Sequence, residues 1–310
     1  MLVLCAVTQN INSSAYSKCR SLRGKKMGAE SELEKRKREI EEQEQRIKTW
    51  MSKIKHKIVV LSGKGGVGKS TVTANLAVAL AWKGRPNQVG ILDADITGPS
   101  IPKMLGARKQ VLESGPPGIF PALGPLGIKI ISMDFLLPSD ETPVIWRGPL
   151  KSAAIRQFLA DVVWGDLEYL IVDLPPGTGD EALSIMQLIQ LTLGLDGVII
   201  VTIPSEVSQL VVKKAVTFTR ELKAPVLGIV ENMSGFVCPY CGHRIDIFSS
   251  GGGEKISKDL DVPFLGKVPL DQRICEDADQ GMPFIVKHPD SPAAKAFMEI
   301  VEKIEKILES

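Results

Sequence analysis

At 310 residues, with 44% apolar and 24% charged side chains, the chain has a globular composition and room for one large α/β domain or two smaller ones. Its 38 Lys and Arg against 36 Asp and Glu leave a net charge of +2, and aromatics are only 5%, which argues against a nucleic-acid surface built on charge or stacking. No run approaches the roughly 20 apolar residues that cross a bilayer, and five cysteines, two of them in Cys-x-x-Cys, suit a reducing compartment with a metal or redox site, so the expectation is a cytoplasmic protein that binds neither nucleic acid nor membrane.

Residues 1–26 lack periodicity and read as a disordered or untranslated leader, with Met27 a candidate start. Residues 27–53 form a charged helical extension: Glu32/Arg36 and Glu34/Arg38 stand at i,i+4 spacing. Leu33, Ile40 and Ile47 recur every seven residues, but one apolar residue per heptad is too little for a coiled-coil seam. From residue 54 to 310 short β-branched runs alternate with helical segments, the pattern of a mostly parallel central sheet with helices on both faces. Strands are expected at 58–62, 89–93, 128–133, 169–173, 197–203, 226–231 and 264–268. Helices are expected at 69–83, 150–163, 180–191, 208–222, 252–261 and 292–308. The Pro/Gly-rich stretch 114–127 reads as a surface loop, because it is poor in regular backbone hydrogen-bonding patterns. The last helix mixes Glu and Lys on its polar face and is expected to pack on the sheet through Phe297, Ile300, Val301 and Ile304.

The strand run Ile58–Ser62 leads directly into Gly63-Lys64-Gly65-Gly66-Val67-Gly68-Lys69-Ser70 and then a helix beginning near Lys69 and Thr71, the context a Walker A loop requires. Glycines let successive N–H groups wrap a phosphate, and the helix N-terminus adds its dipole. Lys69 supplies a mobile cation and the Ser70 hydroxyl a magnesium ligand, so the chain is expected to bind ATP with Mg2+. The apolar run 169–172 ends in Asp173, placed as a Walker B carboxylate for magnesium, and Asp93 and Asp95 close the second strand on one side of it. The guanine-reading Asn-Lys-x-Asp motif is absent.

Cys238 and Cys241 flank a tight turn closed by Gly242 and can share one metal centre. Four sulfur ligands are usual, and a homodimer completes the count from two copies; [4Fe–4S] and zinc both remain open on the ligand chemistry alone. His243 is a weaker ligand candidate, and Cys275 is expected to be a small buried hydrophobe.

The loop Lys64–Ser70 resembles the deviant Walker A of the MinD/ParA/nitrogenase-iron-protein group of ATPases. That resemblance implies that Lys64 reaches across a dimer to the partner's nucleotide. It also implies that Asp95 orients or activates the attacking water, that Asp93 organises magnesium's waters, and that Pro176 and Gly177 lie in switch II. Asn232 would bond the adenine, and Pro269 and Asp271 would lie in the loop covering the base. Taken with 93–102, Trp146-Arg147-Gly148-Pro149, Asp173–Asp180, Glu231-Asn232-Met233-Ser234 and the cysteine motif, all in family order, residues 54–310 resemble the Mrp/ApbC family of iron–sulfur cluster carrier ATPases. The four-cysteine N-terminal motif of that family's eukaryotic branch is not matched; Cys5 and Cys19 stand alone. The resemblance implies slow ATP hydrolysis, a homodimer bridged by a [4Fe–4S] cluster, and assembly scaffolds and apoprotein recipients as partners. The competing expectation is a MinD-like positioning or scaffold ATPase with structural zinc at the dimer interface.

Overall fold

Successive strand residues face opposite sides of a sheet, and strand runs that are apolar at nearly every position need cover on both sides. The computed structural model, which describes residues 34–35, 37–136, 148–238 and 240–309, has that arrangement. Its central sheet contains β1 (Ile54–Ser62), β2 (Val89–Asp93), β3 (Ala122–Leu123), β4 (Lys129–Ser132), β5 (Leu167–Asp173), β6 (Gly197–Thr202), β7 (Val226–Glu231) and β8 (Phe264–Lys267). The spatial order is β8-β7-β6-β1-β5-β2-β4-β3, parallel throughout except for β3 against β4. The main helices are α1 (Lys69–Trp82), α2 (Gly148–Asp161), α3 (Asp180–Leu193), α4 (Glu206–Glu221), α5 (Gly252–Leu260), α6 (Gln272–Gln280) and α7 (Pro292–Leu308).

The strands divide their side chains as the period of two demands. Val59 and Leu61 of β1, with Val172 of β5 and Ile200 of β6, meet Ile155 and Leu159 of α2, Ile185 of α3 and Val212 of α4. Ile58 and Val60, with Ile171 and Ile199, meet Val72, Leu76 and Leu80 of α1 and Phe297, Ile300 and Val301 of α7. The Ser291 hydroxyl caps α7 by accepting from Ala294 N–H at 3.1 Å, and Pro292 occupies the first turn, where its missing donor costs nothing. The apolar stripe of α7 faces the core, with Phe297, Ile300 and Val301 at 0% exposure.

Three sequence expectations change. β1 starts at Ile54 rather than 58, because Ile54 and His56 are buried while Lys55 between them is exposed, an alternation that charge obscured. The stretch 114–127 is not a plain loop: it supplies the antiparallel edge strand β3 and a two-stranded hairpin, Ser114–Gly115 with Gly118–Ile119. Cys275 is exposed on α6, a helix the sequence reading passed over because it is polar nearly throughout.

The chain forms two units, residues 1–46 and 47–310. In the first, residues 37–46 are helical and Ile40 is 52% exposed. In the second, the helical residues 47–51 place Ile47 and Met51 in the core. The leader 1–26, Leu33, Cys5, Cys19, Trp146 and Arg147 lie outside the described residues. Among those described, no helix is long and apolar enough to cross a membrane.

Candidate functional site

In an open parallel sheet, ligands sit beyond the carboxyl ends of the strands. β1 lies at the centre of the order, and its carboxyl end runs into the glycine loop and α1. Gly68 immediately precedes the helix at φ 77°, in the left-handed region, and a side chain there would collide with Asn232 Nδ2. Ser62 Oγ donates to the Lys64 carbonyl at 3.0 Å, fixing the shoulder of the loop, and the Lys64 side chain is half-buried. Gly63 and Gly68 are likewise half-buried, Val67 is buried, and Gly65 and Gly66 are exposed on the crest. Thr71 lies in the first turn of α1, where its carbonyl accepts from Asn75.

Parallel register places Asp93 and Asp173 side by side at the ends of β2 and β5. Two buried carboxylates as neighbours repel, and Lys69 compensates. Its ammonium, 6% exposed, donates to Asp173 Oδ2 at 2.6 Å and to Ser70 Oγ at 3.1 Å, and stands 3.9 Å from Asp95 Oδ2. Ser70 Oγ also donates to Asp173 Oδ2 at 2.6 Å. Thr73 Oγ1 donates to the other oxygen of Asp173 at 2.6 Å, and Ser132 Oγ donates to Asp93 Oδ2 at 3.0 Å. Oxygen donors converging in this way are the kind magnesium takes, and Ser70, Asp173 and Asp93 are the residues that would hold it. In the segment after β5, Pro176 is exposed and Gly177 N–H donates to the Ser62 carbonyl at 2.8 Å.

Burial drives the pKa of Asp93 well above the usual carboxylate range, and the negative charge of Asp173 adds to the effect; burial also raises Asp95, with Lys69 opposing. A raised folded-state pKa means that the folded protein holds a proton the unfolded chain has lost. The resulting stability is full below the unfolded value of about 3.9 and falls as pH rises towards the folded value. Asp93→Asn is therefore expected to raise the melting temperature of nucleotide-free protein at pH 7, with the gain shrinking as pH falls towards 4. Thermal unfolding across that range checks it.

Asn232, 6% exposed, follows β7 and donates from Nδ2 to the Val67 carbonyl at 2.9 Å, so it is tied to the phosphate loop. Pro269 and Asp271 lie on the turn after β8, next to the Asn232 turn, where Ser234 N–H donates to the Val268 carbonyl at 2.9 Å. Asp271 caps α6 and grips Arg273 at 2.7 and 2.9 Å; burial pushes its pKa up, but the Arg273 hydrogen bonds outweigh it and hold the group low. A cavity of about 400 Å³ opens between this turn and Phe236 and Val237.

Cys238 and Cys241 stand apart from the phosphate cluster, on a hairpin of Phe236–Val237 against Arg244–Ile245 inserted between β7 and α5. Cys238 N–H donates to the His243 carbonyl at 3.0 Å and Gly242 N–H to the Cys238 carbonyl at 2.9 Å, which closes the turn. The Cys238 thiol is shifted below its ordinary pKa by the Cys241 backbone N–H first, then by the Tyr240 N–H and the Cys241 thiol, which favours the thiolate a metal requires. Tyr240, Ile247, Ile245 and Phe248 around it are exposed at 96%, 53%, 48% and 41%. Among the described residues, no three His, Cys, Asp or Glu side chains are arranged to hold a metal ion.

Sequence reasoning passes over Lys151. Its ammonium, on a residue 8% exposed, donates to Thr97 Oγ1 at 2.9 Å and Glu181 Oε1 at 2.8 Å, joining the loop after Asp95 to the first turn of α3. The Trp146–Pro149 motif just before it is the signal that points there.

The family model of the NUBPL iron-transfer P-loop NTPases, of the ParA type, matches residues 53–305. The chain belongs to this family. Among relatives within the iron-transfer family, an iron-sulfur cluster carrier protein of Saccharolobus solfataricus is 54% identical over 279 residues, 90% of this chain and 93% of the relative. Another, from Methanocaldococcus jannaschii, is 57% identical over 265 residues, 86% and 89% of the two chains. The ADP complex of a nucleotide-binding protein from Archaeoglobus fulgidus superposes with a TM-score of 0.71 at 41% identity, covering 82% of this chain and 96% of that one. MinD of Pyrococcus furiosus shares the fold at a TM-score of 0.58 and 24% identity, covering 81% of this chain and 99% of its own.

Proposed function

We propose that the protein is an ATP-driven carrier whose cargo, a [4Fe–4S] cluster, is held between two copies by Cys238 and Cys241 of each and passed to apoprotein recipients. The observation that carries this reading is a thiol pair, Cys241 exposed and Cys238 half-buried with a depressed pKa, on a hairpin that follows the end of β7 beside Asn232. Two thiolates are half of a Cys₄ set, and a second copy related by a two-fold axis supplies the rest. The exposed Tyr240, Ile245, Ile247 and Phe248 give that contact an apolar surface. The ADP complex of the Archaeoglobus protein and the iron-sulfur cluster carriers among this chain's relatives support an adenine nucleotide and an iron-sulfur cargo.

In the hydrolytic step, water attacks the γ-phosphorus as the bond to the ADP oxygen breaks, and the water's proton passes toward Asp95, whose raised pKa suits it as acceptor. Lys69 exchanges its bond with Asp173 for the phosphates, and Lys64 of the partner subunit adds a second cation to the charge developing there. Magnesium, when bound, neutralises the phosphate oxygens. The switch segments are knit by Lys151 through Thr97 and Glu181, so changes at the γ-phosphate move both together.

Replacing both cysteines tests the cargo site. After anaerobic reconstitution the wild-type protein should absorb broadly near ~400 nm, and Cys238→Ser/Cys241→Ser should lose that band while still hydrolysing ATP. Equal iron and sulfide in the variant would sink the reading. A MinD-like positioning ATPase is disfavoured by α7, whose Phe297, Ile300, Val301 and Ile304 are buried in the core, with Met298, Ile307 and Leu308 packed against it in part.

A further inference from the structure

Glu231 ends β7, is 0% exposed, and takes no part in the phosphate cluster. A carboxylate so placed needs several donors to offset the loss of water. Its Oε1 accepts from the Ser234 hydroxyl at 2.5 Å and from Gly251 N–H at 3.0 Å, and its Oε2 accepts from Gly253 N–H at 2.5 Å. Ser234 stands just before the cysteine hairpin and the two glycines just after it. The excursion 235–250, which carries both thiols, is thus closed at its base on one side chain, and one oxygen joins its entry to its exit.

The surrounding backbone is shaped for this clasp. Gly251 has φ 84°, and a Cβ on Gly253 would stand 3.0 Å from both Glu231 Oε2 and Glu231 Cβ, so a side chain there would press on the carboxylate. The N-terminus of the nine-residue α5 directs its dipole at the negative charge. Met233 is held at φ 54°, an uncommon conformation for a non-glycine residue, at the turn between Asn232 and Ser234. Asn232 is bonded to Val67 of the phosphate loop, while Ser234 folds back to Glu231. One strand end therefore holds the phosphate loop with one side chain and the base of the cysteine hairpin with the next.

We propose that Glu231 is a positioning residue that fixes the cysteine hairpin to the nucleotide-binding strand end, so that occupancy of the phosphate loop is felt at Cys238 and Cys241. This rests on the carrier reading for its purpose, but its geometry does not, and the test needs no iron, sulfide or zinc. Glu231→Gln keeps the size of the side chain but sets an amide NH₂ against one of the donors it now faces. Hydrogen exchange would be measured on full-length protein, with and without a non-hydrolysable ATP analogue and magnesium.

In wild type the analogue should slow exchange across 235–250. In Glu231→Gln exchange there should rise about tenfold, the analogue should no longer slow it, and analogue affinity should stay within about threefold of wild type. Ser234→Ala, which removes one donor and leaves two, should give a smaller rise and remains informative if the glutamine variant does not fold. Hairpin exchange and nucleotide response equal to wild type in Ser234→Ala and in any folded Glu231→Gln protein would overturn the proposal. So would a parallel collapse of analogue affinity, which would place Glu231 in the nucleotide pocket. If Cys238→Ser/Cys241→Ser binds iron like wild type while Glu231→Gln still loosens the hairpin, the carrier reading fails and the positioning role stands.

Discussion

Lys69→Met is expected to lower ATP turnover by about 10²–10³-fold, the usual consequence of removing one preorganised charge from a reacting centre. The same substitution should also destabilise the nucleotide-free protein. Lys69 is 6% exposed and lies 2.6 Å from Asp173, a residue at 0% exposure whose strand neighbour Asp93 is also buried. Without the ammonium, adjoining carboxylates are left in the interior with the Ser70, Thr73 and Ser132 hydroxyls and the Asp95 backbone N–H as donors. Breaking a buried pair by deleting one partner costs about 3–5 kcal/mol. The double variant Lys69→Met/Asp173→Asn should recover much of that stability and none of the turnover, because the contact that stabilises the empty site differs from the one that serves the reaction. Urea unfolding and phosphate release, measured on the same preparations, separate the two effects.

Lys64→Ala should lower turnover by a similar factor, about 10²–10³-fold, for a different reason. Lys64 is half-buried on the shoulder of the loop, while Lys69 already occupies the carboxylate cluster of its own subunit. Its proposed target is the nucleotide of a second copy, so analogue affinity should change little while nucleotide-dependent dimerisation is lost. Mixing makes the claim sharp. A Lys64→Ala subunit keeps its own phosphate site and a Lys69→Met subunit keeps Lys64, so each mixed dimer has one complete site. Equal mixing of two inactive variants should restore roughly a quarter of wild-type turnover if dimers exchange freely. No restoration under conditions where subunits demonstrably exchange would show that Lys64 acts within its own chain.

The order of strands and helices is legible from sequence because the apolar runs and glycine punctuation agree with one another. β2 and β7 have the bounds that the β-branched runs at 89–93 and 226–231 suggest, and α7 runs from Pro292 to Leu308 between its Ser291 cap and the chain end. The phosphate loop is legible for the same reason: strand, glycines, lysine and helix are contiguous. What sequence cannot supply is contact between distant segments. Thr73 holds Asp173 across 100 positions, and Asn232 meets Val67 across 165. Lys151 and Glu231 each sit in or beside a motif that marks them, but their partners on other elements give no periodic signal. Cys275 shows the opposite limit: cysteine's frequent burial is a poor guide on a helix as polar as α6.

Asp93 illustrates how fold and site compete. Parallel register forces it beside Asp173, and both stay buried in a nucleotide-free cluster whose one close ammonium among the described residues is that of Lys69. Such an arrangement is costly when empty and is relieved when magnesium and nucleotide charge are redistributed through it. The expected gain in stability of Asp93→Asn, set against loss of the magnesium-organising role proposed for the residue, is the balance commonly found where a site is kept at the expense of the fold.

What the two thiols carry decides the function. Iron, zinc and acid-labile sulfide should be quantified on full-length protein purified anaerobically and reconstituted. The carrier reading predicts iron and sulfide in equal amounts, roughly two of each per chain, bound to a dimer and lost in Cys238→Ser/Cys241→Ser. About one zinc per two chains without sulfide would contradict it.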